Sequence, residues 1–125
     1  MLKLYKNIKK ELLNYFQSND IHVSICFDIW SDHTLIHSYM GITCHWTDEN
    51  FILQKRVLAC RCFDESHTAL NIYTLIHIIL QEYWLDNGIF SISFDNASAN
   101  NACINDLKNI CQPNFGGRFF HIRCI

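Results

Sequence analysis

His22-Val23-Ser24-Ile25-Cys26-Phe27-Asp28-Ile29-Trp30 is the stretch that decides how this chain folds. From Ile21 the apolar residues recur at every second position (Ile21, Val23, Ile25, Phe27, Ile29), and His22, Ser24, Cys26, Asp28 and Trp30 alternate with them, which is the period of a β-strand. A second stretch, Ile89 to Asp95, is built the same way. Ser24-x-Cys26-x-Asp28 and Ser91-x-Ser93-x-Asp95 each set small residues on one face and finish it with a carboxylate. Val23, Ile25 and Phe27 in one, and Phe90, Ile92 and Phe94 in the other, form large apolar faces. If these strands run parallel and adjacent, with backbones about 4.8 Å apart, both carboxylates stand at the carboxyl end of the sheet, where open α/β sheets bind ligands. Two ionised carboxylates that close repel, so either one is protonated or a cation lies between them. Oxygen donors suit a hard ion such as Mg²⁺ or Mn²⁺. An Asp just past a strand also serves as a turn former or helix cap, and Asp95-Asn96-Ala97-Ser98 sits where a helix wants one.

Working outward, Leu2, Tyr5, Ile8, Leu12 and Phe16 follow a 3.6-residue period, which predicts an amphipathic helix over residues 2–17, ended by Ser18, Asn19 and Asp20. Tyr39–Trp46 and Phe51–Phe63 are β-rich and joined by Thr47-Asp48-Glu49-Asn50, which predicts an antiparallel hairpin. His67–Asp86 carries apolar pairs at helical spacing, with Ser66 or Thr68 as cap and Gly88 as stop. Ala97–Cys111 is helical in pattern; Pro113, Gly116 and Gly117 break the chain, and Phe119–Cys124 begins another strand. The expected fold is α/β, a mixed sheet in the order β β β α β α β behind an N-terminal amphipathic helix. The helix takes residues 1–20 and the sheet-bearing core residues 21–125, with no repeat or linker between.

Composition narrows the function. In 125 residues, half are hydrophobic and 18% charged, enough apolar surface for one core and too much for a disordered chain. A net charge of −2 excludes nucleic-acid binding through bulk positive charge, so any such contact is local. The lysines at 3, 6, 9 and 10 have no apolar run behind them, which argues against a secretory signal and for an intracellular chain. Ala69–Leu80 is too short and too interrupted to span a bilayer, so no membrane partner is expected. Seven cysteines, an odd number at irregular spacings, are expected to be reduced thiols, mostly buried.

Other polar residues carry weaker signals. Cys60-x-Cys62 with His67, or Cys44-His45, fits no closed four-ligand zinc pattern. His33 and His37 are expected to be surface histidines, Trp30 a packing residue, and Glu82 a solvated residue near a helix end. Lys55, Arg56 and Arg61 concentrate charge on one hairpin strand, either facing a phosphate backbone or keeping a sheet edge soluble.

Taken in order, Phe27-Asp28-Ile29-Trp30-Ser31, Gln54-Lys55-Arg56-Val57-Leu58, Ser66-His67-Thr68 before Asn71-Ile72, Phe90 through Asp95-Asn96-Ala97-Ser98-Ala99-Asn100, and His121-Ile122-Arg123-Cys124 resemble the hAT superfamily of DNA transposases and their domesticated relatives. Many members carry a BED-type zinc finger upstream. The resemblance runs from about Ile21 to Cys124. It implies an RNase H-like fold and an Asp-Asp-Glu triad that holds two divalent ions, Mg²⁺ or Mn²⁺, for DNA strand cleavage and transfer in the nucleus. Asp28 and Asp95 match the first two acids, as metal ligands. Lys55, Arg56, Arg61 and Arg123 are then candidate DNA contacts, and His121 and Cys124 candidate active-site neighbours. In the family the Glu lies well downstream, past a helical insertion; neither Glu65 nor Glu82 matches that position, and the His expected after Cys124 falls beyond Ile125. The expectation is a core fragment with an incomplete site, inactive alone. The alternative is a non-catalytic domesticated module for DNA or protein partners, self-association included; neither reading calls for a small-molecule substrate.

Overall fold

The structure, a computed structural model, describes residues 1–32, 34, 36–94, 102–103, 105–107 and 120–123, the last four as backbone. Helix α1 spans Leu2–Ser18 and is followed by β1 (Val23–Asp32), β2 (His37–Thr47), β3 (Leu53–Cys62), α2 (Ala69–Glu82), β4 (Ile89–Phe94) and β5 (Phe120–Arg123). The strands form one mixed sheet in the order β3-β2-β1-β4-β5. β1 is antiparallel to β2, and β2 to β3; β1 pairs parallel with β4, and β4 parallel with β5. This is the strand sequence and the parallel central pair that the alternation of residues 21–30 and 89–95 predicts. Of the helix expected over Ala97–Cys111, residues 102–103 and 105–107 are described and helical, with Cys103 and Leu107 buried; the rest lies outside the described residues.

The core forms between the sheet and the helices. Val23, Ile25 and Phe27 of β1, Met40, Ile42, Cys44 and Trp46 of β2, Leu58 of β3 and Ile89, Ile92 and Phe94 of β4 are buried with Ile72, Ile76, Ile79 and Leu80 of α2. α1 joins through its C-terminal half. Phe16 packs edge-on against Trp46 and Tyr83, and Tyr15 lies against Trp46, whereas Leu2, Tyr5 and Ile8, expected on the buried face, are exposed.

Two bulges shape the sheet. Between Val23↔Ile89 and Ser24↔Ser91 β4 has one residue more than β1, and that residue is Phe90. The extra residue shifts the alternation, so Phe90 is exposed rather than part of the apolar face predicted for it, while Ser91 is buried and donates to Ser24 Oγ at 2.8 Å. Between Ile42↔Ala59 and Thr43↔Val57 the extra residue is Leu58 on β3. Its side chain is buried, and its carbonyl accepts a hydrogen bond from the Tyr83 hydroxyl at 2.8 Å.

Element ends differ from the sequence reading for local reasons. β3 begins at Leu53, not Phe51, because Asp48 organises the turn: its Oδ1 accepts from the amides of Asn50 and Ile52, its Oδ2 accepts from Gln54, and Phe51 takes φ +62° with its ring in solvent. α2 begins at the Thr68 cap, whose hydroxyl accepts from the Asn71 amide. It ends well before Gly88. Trp84 adopts φ +58°, its amide bonds to the Gln81 carbonyl and the Leu85 amide to the Leu80 carbonyl, which is the left-handed closure that glycine usually provides. Cysteine burial is also corrected: Cys44 and Cys103 are buried, but Cys26, Cys60 and Cys62 are exposed, because they fall on the sheet face that the described helices leave open. Among the described residues no helix is long and apolar enough to cross a membrane.

Candidate functional site: the open face of the sheet around Asp28

β1 is the central strand, and its alternation sends Val23, Ile25 and Phe27 into the core and Cys26, Asp28 and Trp30 to the open face. Asp28 sits opposite Gly41 on β2. Gly41 has a positional reason: a Cβ there would stand 3.0 Å from Trp30 Cζ3, so the missing side chain lets the indole lie across β2, where it stacks on Tyr39 with ring centroids 6.0 Å apart. Trp30 is thus a packing residue, as expected, but one that packs on the surface. A cavity of about 330 Å³ is lined by Cys26, Asp28, Trp30, Gly41, Thr43 and Cys60, among others. Among the described residues Asp28 has no hydrogen-bond or ion-pair partner.

The register of β1 on β4 runs Ser24↔Ser91, Ile25↔Ile92 and Cys26↔Ser93. Asp28 is two residues beyond Cys26, and Asp95 two beyond Ser93. Asp95 itself lies outside the described residues, as do Cys124 and His33. His121 and Arg123 belong to β5, level with Ile92 and Phe94. An exposed carboxylate without a hydrogen-bond or ion-pair partner among the described residues offers the oxygen donors that Mg²⁺ and Mn²⁺ prefer, so Asp28 fits such an ion.

The basic residues of β3 do not act as one patch. Lys55 pairs with His45, and Arg56 with Cys44, so the two neighbours point to opposite faces. Arg56 reaches back over the Trp46 ring, with its guanidinium carbon 5.8 Å from the centroid, into a cavity of about 390 Å³ that Tyr15 and Glu11 of α1 also line. The bulge at Leu58 turns Arg61 to that same covered side, where its Nη2 donates to Glu82 Oε2. Lys9 Nζ of α1 donates to the same oxygen at 2.9 Å. Glu82 is therefore not the freely solvated residue that its place near a helix end suggests: Arg61 first, then Lys9, hold its carboxyl down to about 2. It is also on the wrong face to join Asp28. Of the three charges predicted from the strand, Lys55 alone shares the Asp28 face.

Of the thiols weighed for metal binding, Cys44 is buried and pushed up to about 12, mainly by desolvation, which leaves no accessible thiolate. Cys60 and Cys62 are exposed, but His67 stacks on Phe63 with ring centroids 5.2 Å apart. The sequence reading missed a different grouping, His37 with Cys62 and Asp64, whose members come from the two ends of a hairpin and carry no spacing signal.

The family model described as the ZBED1 RNase-like domain matches residues 26–116. Two Zea mays proteins assigned as the AC transposase and the AC9 transposase are each 29% identical over 129 residues, covering 99% of this chain and 16% and 15% of their own lengths. A Talaromyces stipitatus protein assigned as the transcriptional regulator tpeD is 26% identical over 110 residues, covering 88% of this chain and 13% of its own length. The chain thus spans between about one eighth and one sixth of the length of these relatives. The mixed sheet with its parallel central pair is an RNase H-like fold. With the family model covering most of its length, the chain belongs to the ZBED1 RNase-like domain family, among the hAT-type transposases.

Proposed function

We propose that this chain carries the first two acids of a metal-dependent centre for DNA strand cleavage and transfer, Asp28 and Asp95. The observation that supports this most directly is the Cys26↔Ser93 register, with an acid two residues past each partner and Asp28 left without a protein counter-charge among the described residues. The two carboxylates would hold Mg²⁺ or Mn²⁺, which when bound supplies Lewis-acid charge at the scissile phosphate. Asp28 is held in the ladder to β2 opposite Gly41, which favours a carboxylate that needs little reorganisation to serve as a ligand. Lys55, on the same face, is assigned to the DNA backbone, where a local positive charge positions the duplex without reading its bases. Arg123, at the Phe94 end of β5, is a second candidate for such a contact. His121 and Cys124 are assigned as neighbours of the acids. DNA as substrate implies a nuclear protein.

The hAT resemblance places a third acid well downstream of Asp95, so the 125 residues by themselves are expected to bind the ion but not to cut DNA. Mn²⁺ titration of the chain followed by calorimetry tests the reading. Binding that is lost in both Asp28→Ala and Asp95→Ala supports it, and binding unchanged in both overturns it. Nicking of supercoiled DNA by a longer chain that includes the downstream Glu, and not by these residues alone, would locate the missing ligand. A second reading, a non-catalytic DNA-contacting module, draws support from the relative assigned as a transcriptional regulator. DNA binding that persists without any divalent ion and tolerates Asp28→Ala would favour it.

A further inference from the structure

We propose that His37, Cys62 and Asp64 form a binding site for a single zinc ion at the rim of the sheet, where the open ends of the β2–β3 hairpin meet. β2 begins at His37 and β3 ends at Cys62, and the antiparallel pairing Tyr39↔Cys62 brings those ends together. The lacing continues one step past the strand: the Phe63 amide donates to the Ser38 carbonyl at 2.7 Å, which carries Asp64 alongside Ser38. The Ser38 amide then donates to Asp64 Oδ1 at 3.0 Å and fixes the carboxylate. Its other oxygen, Oδ2, accepts from Cys62 Sγ at 3.0 Å and lies 2.8 Å from His37 Nδ1.

One imidazole nitrogen, one thiol sulfur and one carboxylate oxygen thus lie within 4.8 Å of one another. That donor set selects the metal. Thiolate and imidazole suit zinc, whereas Mg²⁺ and Mn²⁺ prefer oxygen alone. Zinc bonds of about 2.0–2.3 Å in a tetrahedron separate neighbouring ligand atoms by about 3.3–3.8 Å. The present hydrogen-bonded distances therefore need to widen by less than about 1 Å, a movement within reach of side chains that are all exposed. The ion would replace the proton on Cys62 and the hydrogen-bonding link from His37, both of which now point at the same carboxylate. The Ser38 amide is the outer partner that orients it.

Three protein ligands leave the fourth position for water or a small donor, the arrangement of open rather than closed zinc sites. Cys62 and Asp64 also line a cavity of about 360 Å³ with Glu65, Asn71 and Thr74, so that position is reachable from solvent.

The test uses the chain freed of metal and titrated with Zn²⁺ against a chromophoric chelator, then with Co²⁺, whose thiolate charge-transfer band reports a sulfur ligand directly. One equivalent of zinc and a cobalt–thiolate band are expected. Cys62→Ser and His37→Gln should each weaken binding by more than about 100-fold, because even outer partners cost about 10–100-fold. Cys60→Ser and Asp28→Ala should leave it unchanged, the second also separating this site from the Mn²⁺ site. Absence of stoichiometric zinc, absence of the thiolate band in the unsubstituted protein, or zinc binding that survives Cys62→Ser in a variant with native circular dichroism would overturn the proposal.

Discussion

The Tyr83 hydroxyl donates to the Leu58 carbonyl at 2.8 Å, at the point where β3 has one residue more than β2. A bulge residue leaves a main-chain group without a ladder partner, and inside a core that group needs another one. The helix end supplies it, so the last turn of α2 and the kink in β3 hold each other. Tyr83→Phe keeps the ring against Phe16 but strands a buried carbonyl, and should cost about 1–2 kcal/mol. Urea unfolding checks this: the midpoint should fall with the slope unchanged.

Glu82 joins three elements, with Arg61 from β3 and Lys9 from α1 on one oxygen. All three side chains are about two-thirds buried, between the regime in which an ion pair contributes almost nothing and the one in which breaking it is severe. Glu82→Gln should destabilise by about 1–2 kcal/mol, and less in an Arg61→Met background, where no guanidinium is left unpaired. The pH dependence has a fixed sign. The folded carboxyl is held at about 2 against an ordinary 4.5, so its contribution is complete above 4.5 and is lost as pH falls from there towards 2. Chemical unfolding followed across that interval should show a steep loss in the native sequence and a shallower one in Glu82→Gln.

Thiol labelling separates the cysteines by face. Cys26, Cys60 and Cys62 should react with an alkylating reagent under native conditions, and Cys44 and Cys103 only after unfolding, because burial excludes the reagent and, at Cys44, suppresses the thiolate. Peptide mass spectrometry after a timed pulse distinguishes them.

Asp28 contributes nothing to the fold through a hydrogen bond or ion pair among the described residues, so Asp28→Asn should leave thermal stability within about 0.5 kcal/mol of the native protein. The same substitution should abolish Mn²⁺ uptake. A large loss of stability would mean that the carboxylate is a structural group.

Much of this was legible in the sequence because one face of each central strand is uniformly apolar. Val23, Ile25 and Phe27 declare their strand, and the matching small residues Ser24, Cys26, Ser91 and Ser93 declare which strand lies beside it. Thr68 as a cap is a local signal and survives folding. What was not legible depends on context that no local pattern carries. Phe90 leaves the apolar face because of a bulge, and Trp84 rather than Gly88 closes α2, with Tyr83 and Leu85 buried on either side of it. Lys55, Arg56 and Arg61 look like a patch in one dimension and are divided by the two-residue period and by the extra residue at Leu58. His37 meets Asp64 across the mouth of a hairpin, 27 residues away, and no spacing rule announces that.

The hydrogen bond from Ser91 to Ser24 closes a span of 67 residues. The meander of β1, β2 and β3 and the helix after it can assemble from neighbours along the chain, whereas the central parallel pair must wait for β4 to emerge and return. Until it does, the strand that ends up in the middle of the sheet is an unpaired edge, open to the same strand of another nascent copy. The residues nearest the proposed cleavage centre are therefore the ones most exposed to misassembly while the protein is being made.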